Sequence, residues 1–266
     1  MPFVVTLPKS AEVSPEIFSK RAKDAGADIL EMRGDLTPSV PVFVSCLPIL
    51  LSPRGADVKA MIDRLKPVYL DIDDGEVIPV FSKDTQLICS YHNYECVPSE
   101  QELKKIVARL LKKNPAILKI AAKAQCYKDL VTLQNISNDL HAKSIPSVVL
   151  AMGEYAASQR LLSPYRDALT YTCLDQEDTA APGQIALREH RALQKKNTPK
   201  IFGILGGAQV ATSFSPKIHN ALFISHSIDS LYTTFPTSDL RDAWEGCTQL
   251  GVAGFSITAP WKQEIL

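Results

Sequence analysis

A single lysine, Lys119, interrupts the apolar run at residues 114–122. This continuous run follows an Asn-Pro turn signal and predicts a short strand that is buried on both faces. Burial lowers the pKa of an amine, which makes a buried lysine a competent nucleophile for Schiff-base chemistry. A lysine that simply reaches water at the end of its strand is the commoner case. Lys119 is therefore a candidate nucleophile whose interpretation depends on its neighbours.

Other reactive side chains lie at the ends of predicted strands or in the segments after them, namely Glu31, Arg33, His92, Arg160 and Gln184. Each has an ordinary explanation when taken alone: an internal salt bridge between Glu31 and Arg33, a structural histidine, or a solvated arginine. Taken together, a lysine nucleophile, a histidine that transfers protons and a carboxylate that orients the histidine would equip an imine-forming lyase or aldolase. The arginines would bind an anionic substrate.

The elements that position these residues alternate between strands and amphipathic helices. Eight strands are predicted, at residues 3–7, 28–33, 42–46, 68–73, 86–92, 116–121, 147–152 and 168–173. Ser14-Pro15 is expected to begin a helix that ends at Gly26, and Ser99 with Glu102 forms a capping box. This alternation favours a (β/α)₈ TIM barrel over an open doubly wound sheet, although the two are hard to separate from a sequence. A barrel would gather the polar strand ends at one rim.

Composition narrows the classes of function. The 266 residues are 45% hydrophobic, enough for a full core, and 29 basic residues balance 29 acidic ones. A formal net charge of zero argues against nucleic acid and membrane surfaces as partners and favours a small-molecule substrate. The six cysteines show no metal-binding spacing, and no apolar run has the length of a signal peptide or a membrane span. We expect a cytoplasmic protein that needs no metal, with an oligomeric state left open.

Three segments are expected along the chain. Residues 1–193 would form the barrel, 194–200 read as a polar linker, and 201–266 contain three further strands near residues 201–205, 230–235 and 254–258. Helices are expected near residues 216–225 and 239–250. The last segment is small for an independent core, so we interpret it as a domain cut short, and we expect the barrel to work without it.

Five motifs in the barrel segment resemble those of type I 3-dehydroquinate dehydratase. They are Glu31-x-Arg33, Ser90-x-His92, Leu118-Lys119-Ile120-Ala121, Gln159-Arg160-Leu161 and Ala181-Pro182-Gly183-Gln184. The resemblance implies a barrel in which Lys119 forms a Schiff base with 3-dehydroquinate, His92 transfers protons and Glu31 orients His92. It further implies that Arg33, Arg160 and Gln184 bind the substrate. No cofactor is implied for this reaction.

Two positions depart from that family. Where the family presents an arginine after its third strand, this chain has residues 45–48, Ser-Cys-Leu-Pro, and the nearest arginine is Arg54. Where the family has a serine before the Ala-Pro-Gly-Gln motif, this chain has Thr179-Ala180. These differences concern substrate affinity and loop closure more than the reaction.

The last segment is similar to the substrate-binding part of shikimate dehydrogenase, through residues 213–220 and 254–262. The resemblance implies that Ser213, Ser215 and Thr258 bind shikimate and that Lys262 transfers a proton. Because a nicotinamide-binding domain is absent from the sequence, we expect no NADP binding. The order of the two parts matches bifunctional dehydratase–dehydrogenases.

Two alternatives remain at this stage. A class I aldolase would also use a barrel lysine, but it would not need the pair Glu31 and His92. A non-catalytic binding protein with a degraded site would explain the two departures. Borohydride trapping of an adduct on Lys119 would separate an imine-forming enzyme from such a binding protein.

Overall fold

The computed structural model describes residues 1–9, 14–37, 43–162, 167–175, 180, 184–194 and 199–265. Its first part consists of strands β1 to β8, which are Phe3–Thr6, Ile29–Arg33, Ile49–Ser52, Tyr69–Asp73, Gln86–Asn93, Ile117–Lys123, Ser147–Met152 and Thr170–Thr172. The helices between and after them, α1 to α6, are Pro15–Ala25, Val58–Leu65, Glu100–Leu111, Tyr127–Ala142, Ala156–Leu162 and Leu187–Gln194.

These eight strands form one parallel sheet in the order β7-β6-β5-β4-β3-β2-β1-β8. The two ends of this order meet, because the backbone N–H of Ala168 donates a hydrogen bond to the carbonyl of Ser147, 2.7 Å away. The sheet is thus a nearly closed, TIM-like barrel, and the predicted fold class is confirmed for this part of the chain. The predicted helix caps are confirmed as well: Ser14 accepts from Ile17, Gly26 adopts a left-handed conformation and Ser99 accepts from Glu102.

Side chains alternate along each strand between the lumen and the helices. The lower lumen is filled by an apolar cluster that takes alternate residues from the strands, including Val4, Leu50, Ile88 and Val148, and Leu169 just before β8. The intervening residues pack outward in a separate, larger cluster with the helices. In each strand, the residue two positions after such an apolar residue points into the lumen as well. Where that residue is polar, it lies in the lumen near the carboxyl end of its strand.

The third strand lies elsewhere than the sequence predicted. Residues 42–46 were expected to form it, but 43–45 are outside any strand, Val44 is 81% exposed, and residue 42 lies outside the described residues. The strand is Ile49–Ser52, which is buried and pairs with β2 through Leu30↔Ile49. Both runs are short and apolar, so their sequences do not show which of them forms a strand. The pairing with β2 that decides this depends on the tertiary structure. The carboxyl end of β3 therefore lies two residues before Arg54 in the chain.

The last part of the chain forms a second, three-stranded parallel sheet in the order β10-β9-β11. Its strands are β9 Lys200–Gly206, β10 Ser230–Pro236 and β11 Val252–Ile257, its helices are α7 Ser215–Ser225 and α8 Leu240–Gln249, and 3₁₀ turns cover Ala208–Thr212 and Trp261–Gln263. The side-chain amide of Asn220 pairs with both the N–H and the C=O of Tyr232, at 2.8 and 2.9 Å. That contact fixes α7 to the edge of β10.

Helix α8 contacts the start of α4 in the barrel. The carboxylate of Asp242 accepts hydrogen bonds from the backbone N–H groups of Tyr127 and Lys128, at 2.7 and 3.1 Å. Tyr127 is fully buried, and its hydroxyl donates to the carbonyl of Pro236. A Cβ at Gly246 would approach the Cβ of Tyr127 to 2.5 Å, so only glycine fits at this contact.

Apolar residues of both parts belong to one buried cluster. Phe235, Ala243 and Cys247 of the second part lie in the same core as the outer residues of the barrel. The expectation that the barrel is self-sufficient therefore conflicts with the packing, because removal of residues 201–266 would expose Tyr127 and its neighbours.

Candidate active site

Four polar side chains from alternate strands form one layer across the lumen: Glu31 of β2, Asp71 of β4, Lys119 of β6 and Tyr171 of β8. Layers of this kind, with four residues from alternate strands, are the usual filling of a (β/α)₈ barrel. The layers below it are apolar. The lysine therefore lies at the floor of a polar pocket, with a closed apolar core beneath.

Lys119 is 4% exposed, so it does not reach bulk water in this state. Its Nζ donates a hydrogen bond to Asp71 Oδ2 at 2.8 Å and lies 4.3 Å from the centroid of the Tyr171 ring. Burial would raise the pKa of Asp71, but the charge of Lys119, with those of His92 and Arg54, lowers it to about 2. Asp71 is therefore ionised at neutral pH and compensates the buried lysine.

Glu31 is held by two hydroxyls. The hydroxyl of Thr6 donates to Oε2 at 2.5 Å, and the hydroxyl of Ser52 donates to Oε1 at 2.9 Å. Ser52 also lies 3.3 Å from Asp71 Oδ2, so it links the two carboxylates. These contacts place Glu31 beside the Asp71–Lys119 pair, within the same polar layer.

His92 contacts other partners than the one predicted. Its Nε2 lies 2.9 Å from a guanidinium nitrogen of Arg54, and its Nδ1 lies 3.2 Å from Asp73 Oδ2, without the angle of a hydrogen bond. In this structure the carboxylate beside the imidazole is therefore that of Asp73 rather than that of Glu31. The parity of the strands explains this, since Asp73 follows Asp71 by two residues on β4, the strand that pairs with β5.

The protonation of His92 follows from these neighbours. Arg54 can only donate, so Nε2 accepts and the ring proton of the neutral form is on Nδ1, facing Asp73. Burial lowers the pKa of His92, Asp73 opposes this shift, and the positive charges of Lys119 and Arg54 add to it. The ring is therefore neutral near pH 7 and presents a basic lone pair on Nε2.

Two predicted binding residues meet at Ala180, which belongs to the segment after β8. Arg33 makes a bidentate pair with Asp35, at 2.6 and 3.0 Å, and its third nitrogen donates to the carbonyl of Ala180 at 3.4 Å. Gln184 is 5% exposed and accepts from the N–H of Ala180 at 2.9 Å. The residues Thr179 and 181–183, named in the sequence motifs, lie outside the described residues.

Arg160 is also buried and reaches the same pocket. Its Nη1 donates to the carbonyl of Tyr171 at 2.6 Å, while its Nε has no hydrogen-bond partner. Burial lowers its pKa to about 10, so it keeps its charge at neutral pH.

The barrel rim encloses a cavity of about 340 Å³. The predicted residues Glu31, Arg33, His92, Lys119, Arg160 and Gln184 all line it, together with Thr6, Arg54 and Tyr171. A volume of this size suits a small polar ligand. Three guanidinium groups around one buried amine make the cavity suitable for an anion that carries a carbonyl group.

Sequence reasoning did not single out Asp71, Asp73 or Tyr171, and it named Arg54 only as the arginine nearest to a departure from the family pattern. One signal was available: Asp71-Ile72-Asp73 ends a buried strand with two carboxylates at a spacing of two, which places both in the lumen of a barrel. Arg54 could be recognised only once β3 was placed correctly. Its position directly after β3 supplies an arginine at the end of the third strand, where the sequence analysis expected Ser-Cys-Leu-Pro at residues 45–48.

The predicted residues of the second part lie at the carboxyl edge of its sheet. Ser213 and Ser215 lie 3.1 Å apart, oxygen to oxygen, at the start of α7, and Thr258 follows β11, where its methyl group limits the space at Gly206. Lys262 is exposed in the last 3₁₀ turn. The structure describes all four residues, and no hydrogen bond joins the serines to Thr258 or Lys262.

Two absences hold for the part of the chain that the structure describes. No group of three or more histidine, cysteine or acidic side chains there has the arrangement of a metal site. No helix in that part of the chain has the length and hydropathy of a membrane span.

A parallel eight-stranded barrel with a buried, carboxylate-paired lysine below a cationic rim defines the class of TIM-like barrel proteins that carry a lysine at the floor of their cavity. The family model of type I 3-dehydroquinase matches residues 58–196, and that of the shikimate dehydrogenase substrate-binding domain matches residues 205–266. This chain belongs to the type I 3-dehydroquinase family.

Individual relatives agree with this assignment. The chain is 30% identical to the 3-dehydroquinate dehydratase of Aquifex aeolicus over 205 residues, which cover 66% of this chain and 91% of that protein. It is 28% identical to a chloroplastic bifunctional 3-dehydroquinate dehydratase/shikimate dehydrogenase of Arabidopsis thaliana, over 94% of this chain. It spans only 46% of the Arabidopsis protein.

Solved structures show the same architecture. The Aquifex aeolicus 3-dehydroquinate dehydratase aligns with a TM-score of 0.57 at 26% identity, over 73% of this chain and 98% of that chain. A structure of dehydroquinate dehydratase and shikimate dehydrogenase from S. pombe covers 99% of this chain and 57% of that one, with a TM-score of 0.54 at 20% identity. The second likeness shows the fold alone.

Proposed function

We propose that this chain dehydrates 3-dehydroquinate to 3-dehydroshikimate through a Schiff base on Lys119. The observation that supports this most is the buried Lys119–Asp71 pair at the floor of a cavity lined by Arg33, Arg54 and Arg160. We infer the identity of the substrate from the family. The cavity is lined by charged and polar groups that could bind a hydroxylated keto acid.

In the proposed reaction, the Lys119 ammonium first gives one proton to water in the cavity, and the neutral Nζ attacks the C3 carbonyl carbon. The carbinolamine hydroxyl then takes up a proton and leaves as water, which gives a protonated imine. The imine withdraws electrons from the neighbouring C2–H bond, so a base of imidazole strength is sufficient. His92 Nε2 takes the C2 proton and the electrons form an enamine. The enamine then expels the C1 hydroxyl, which leaves as water with the proton from His92, and hydrolysis of the imine releases the product.

Asp71 and Asp73 would support these steps from β4. Asp71 accepts the hydrogen bond of the lysine ammonium and would stabilise the later iminium at the same place. Asp73 faces Nδ1 of His92 and would stabilise the imidazolium that forms when Nε2 takes a proton. Arg54 must leave Nε2 before His92 can act, and the substrate's own negative charge offers it a new partner.

Substrate binding would involve the guanidinium groups of Arg33, Arg54 and Arg160 and the amide of Gln184. Charge-assisted hydrogen bonds to a carboxylate are about twice as strong as neutral ones, and the cavity strengthens them further by excluding water. The position of Arg54 after β3 and in the cavity lining supports an active site over a degraded binding protein, because it provides an arginine at one of the two departures.

For the second part we propose the binding of shikimate or a similar hydroxylated acid through Ser213, Ser215, Thr258 and Lys262. The support is their position at one sheet edge together with the matching family model. The boundaries 1–193, 194–200 and 201–266 are part of this proposal. Isothermal titration with shikimate tests it, and a Ser215→Ala variant that binds as well as the parent chain would contradict it.

The dehydratase proposal is tested by following the conjugated-enone absorbance of 3-dehydroshikimate after addition of 3-dehydroquinate. Lys119→Ala is expected to abolish turnover, whereas Lys112→Ala, an exposed lysine at the end of α3, serves as the matched control. Borohydride should trap an adduct on the peptide that contains Lys119. An adduct on another lysine, or turnover by Lys119→Ala, would contradict the assignment.

A further inference from the structure

We propose that Gln159 is a positioning residue for Arg160: its side-chain amide closes the seam of the barrel and thereby holds the Arg160 guanidinium at the substrate's carboxylate. The inference rests on the proposed function for the identity of the substrate. It assigns a role to a residue that has no chemistry of its own and whose side chain is 3% exposed.

The seam between β7 and β8 is where the barrel sheet begins and ends. No strand pairing joins β7 to β8 in the described residues, so the outer edge of β7 needs other hydrogen-bond partners. Gln159 provides two of them: its Nε2 donates to the carbonyl of Val149 at 3.0 Å, and its Oε1 accepts from the N–H of Ala151 at 3.2 Å. The amide therefore replaces one peptide unit of a missing neighbour strand.

The segment before β8 continues this replacement. The carboxylate of Asp167 accepts from the N–H of Val149 at 3.0 Å, and the N–H of Ala168 donates to the carbonyl of Ser147. Four successive backbone groups of β7 are thus satisfied from outside the sheet. Of the groups that satisfy this edge, only the Gln159 amide comes from helix α5 among the described residues.

Arg160 follows Gln159 on α5 and contacts the other side of the seam. Successive residues of a helix project about 100° apart, so one residue can face β7 while the next faces β8. Nη1 of Arg160 donates to the carbonyl of Tyr171 on β8, and the residue lines the cavity, while its buried Nε has no hydrogen-bond partner. Helix α5 therefore spans the seam, with one anchor on each strand.

Loss of the Gln159 amide would leave a buried carbonyl and a buried N–H on β7 without partners. The helix would have to shift to admit water, and Arg160 would move with it, because the two residues are adjacent on one short helix. A displacement of about 1 Å is enough to weaken a charge-assisted contact by an order of magnitude or more. The expected defect is thus in binding of the carboxylate rather than in the chemistry at Lys119.

The test compares Gln159→Leu with Ser158→Ala. Leucine has a similar volume but no hydrogen-bonding groups. Ser158 is the matched control, since its hydroxyl anchors the same helix to the carbonyl of Thr234, away from the cavity. We expect Gln159→Leu to raise KM about 10- to 100-fold with kcat within about twofold, and Ser158→Ala to lower Tm without a change in KM. A KM for Gln159→Leu equal to that of Ser158→Ala would overturn the inference.

A double-mutant cycle shows whether Gln159 acts through Arg160. Arg160→Ala should raise KM, and addition of Gln159→Leu should then raise it no further, whereas independent roles would give additive effects. The same cycle on the Kd of 3-dehydroquinate, measured in the Lys119→Ala background, needs no turnover. Failure of the dehydratase reaction would therefore leave this test intact, and additive effects on Kd would refute the positioning role by themselves.

Discussion

The contact between Asp242 and helix α4 makes the stability of the barrel depend on the second part of the chain. Helix α4 begins after Cys126, whose side chain makes no capping hydrogen bond. The carboxylate of Asp242 takes over the capping role from another helix, since it accepts the first two N–H groups of α4. Asp242→Ala removes this cap.

The expected loss follows from the two interactions removed. A lost helix cap costs about 1 kcal/mol. A negative charge at a helix N-terminus contributes up to about 1 kcal/mol more where it is only partly exposed. We therefore expect Asp242→Ala to lower the free energy of unfolding by about 2 kcal/mol. In a chain of this size that loss lowers Tm by roughly 4–8 °C.

Thermal unfolding followed by circular dichroism measures this effect. Glu245→Ala is the matched control on the same helix, because Glu245 makes an exposed ion pair with Arg241 that contributes little. The shared core further predicts one cooperative transition for both parts. The reasoning is refuted if Asp242→Ala unfolds at the same temperature as Glu245→Ala, or if the barrel unfolds in a separate transition that the substitution leaves unchanged.

Three further predictions concern the cavity. Asp73→Asn removes the charge that opposes the fall in the pKa of His92, so we expect the acid limb of the pH profile of kcat to move to lower pH and kcat to fall about tenfold; an unchanged profile would contradict this. Arg54→Ala should raise KM about 10- to 100-fold in steady-state assays, because it removes a charged contact to the substrate, and an unaltered KM would exclude that contact. Burial raises the pKa of Asp167 from 3.8 to about 7, so the folded chain binds this proton more tightly than the unfolded chain and loses stability as pH rises from about 4 to 7. Asp167→Asn should therefore have the same Tm as the parent chain at pH 4 and a higher Tm at pH 8. If the difference in Tm between the two proteins did not change with pH, ionisation of Asp167 would not destabilise the folded chain.

The error at the third strand shows where sequence reasoning failed. Residues 42–46 and 49–52 are both short apolar runs, and neither has a period that separates strand from loop. The choice was made by pairing with β2 and by burial between helices, which are properties of distant residues. The misplacement also concealed Arg54, because a residue acquires its position at the barrel rim only from the end of its own strand.

The role of Glu31 shows a second limit. The motif identified Glu31 as part of the site, and its side chain does lie in the cavity. Its partner could not be read from spacing, because neighbours across a barrel are fixed by register and by the layering of side chains. In the structure, Glu31 accepts hydrogen bonds from Thr6 and Ser52, and Asp73 is the carboxylate beside His92.

The sequence by itself determined the number and kind of the barrel strands, the helix caps and the position of Lys119 inside a buried strand. These features are local: periodicity, capping residues and one charge inside an apolar run are visible along the chain. Only the tertiary structure decided which carboxylate faces which base, how Gln159 and Asp167 close the seam, and that α8 caps α4. The reason is physical, since hydrogen bonds and ion pairs between distant residues depend on strand register and helix docking, which the whole core fixes at once.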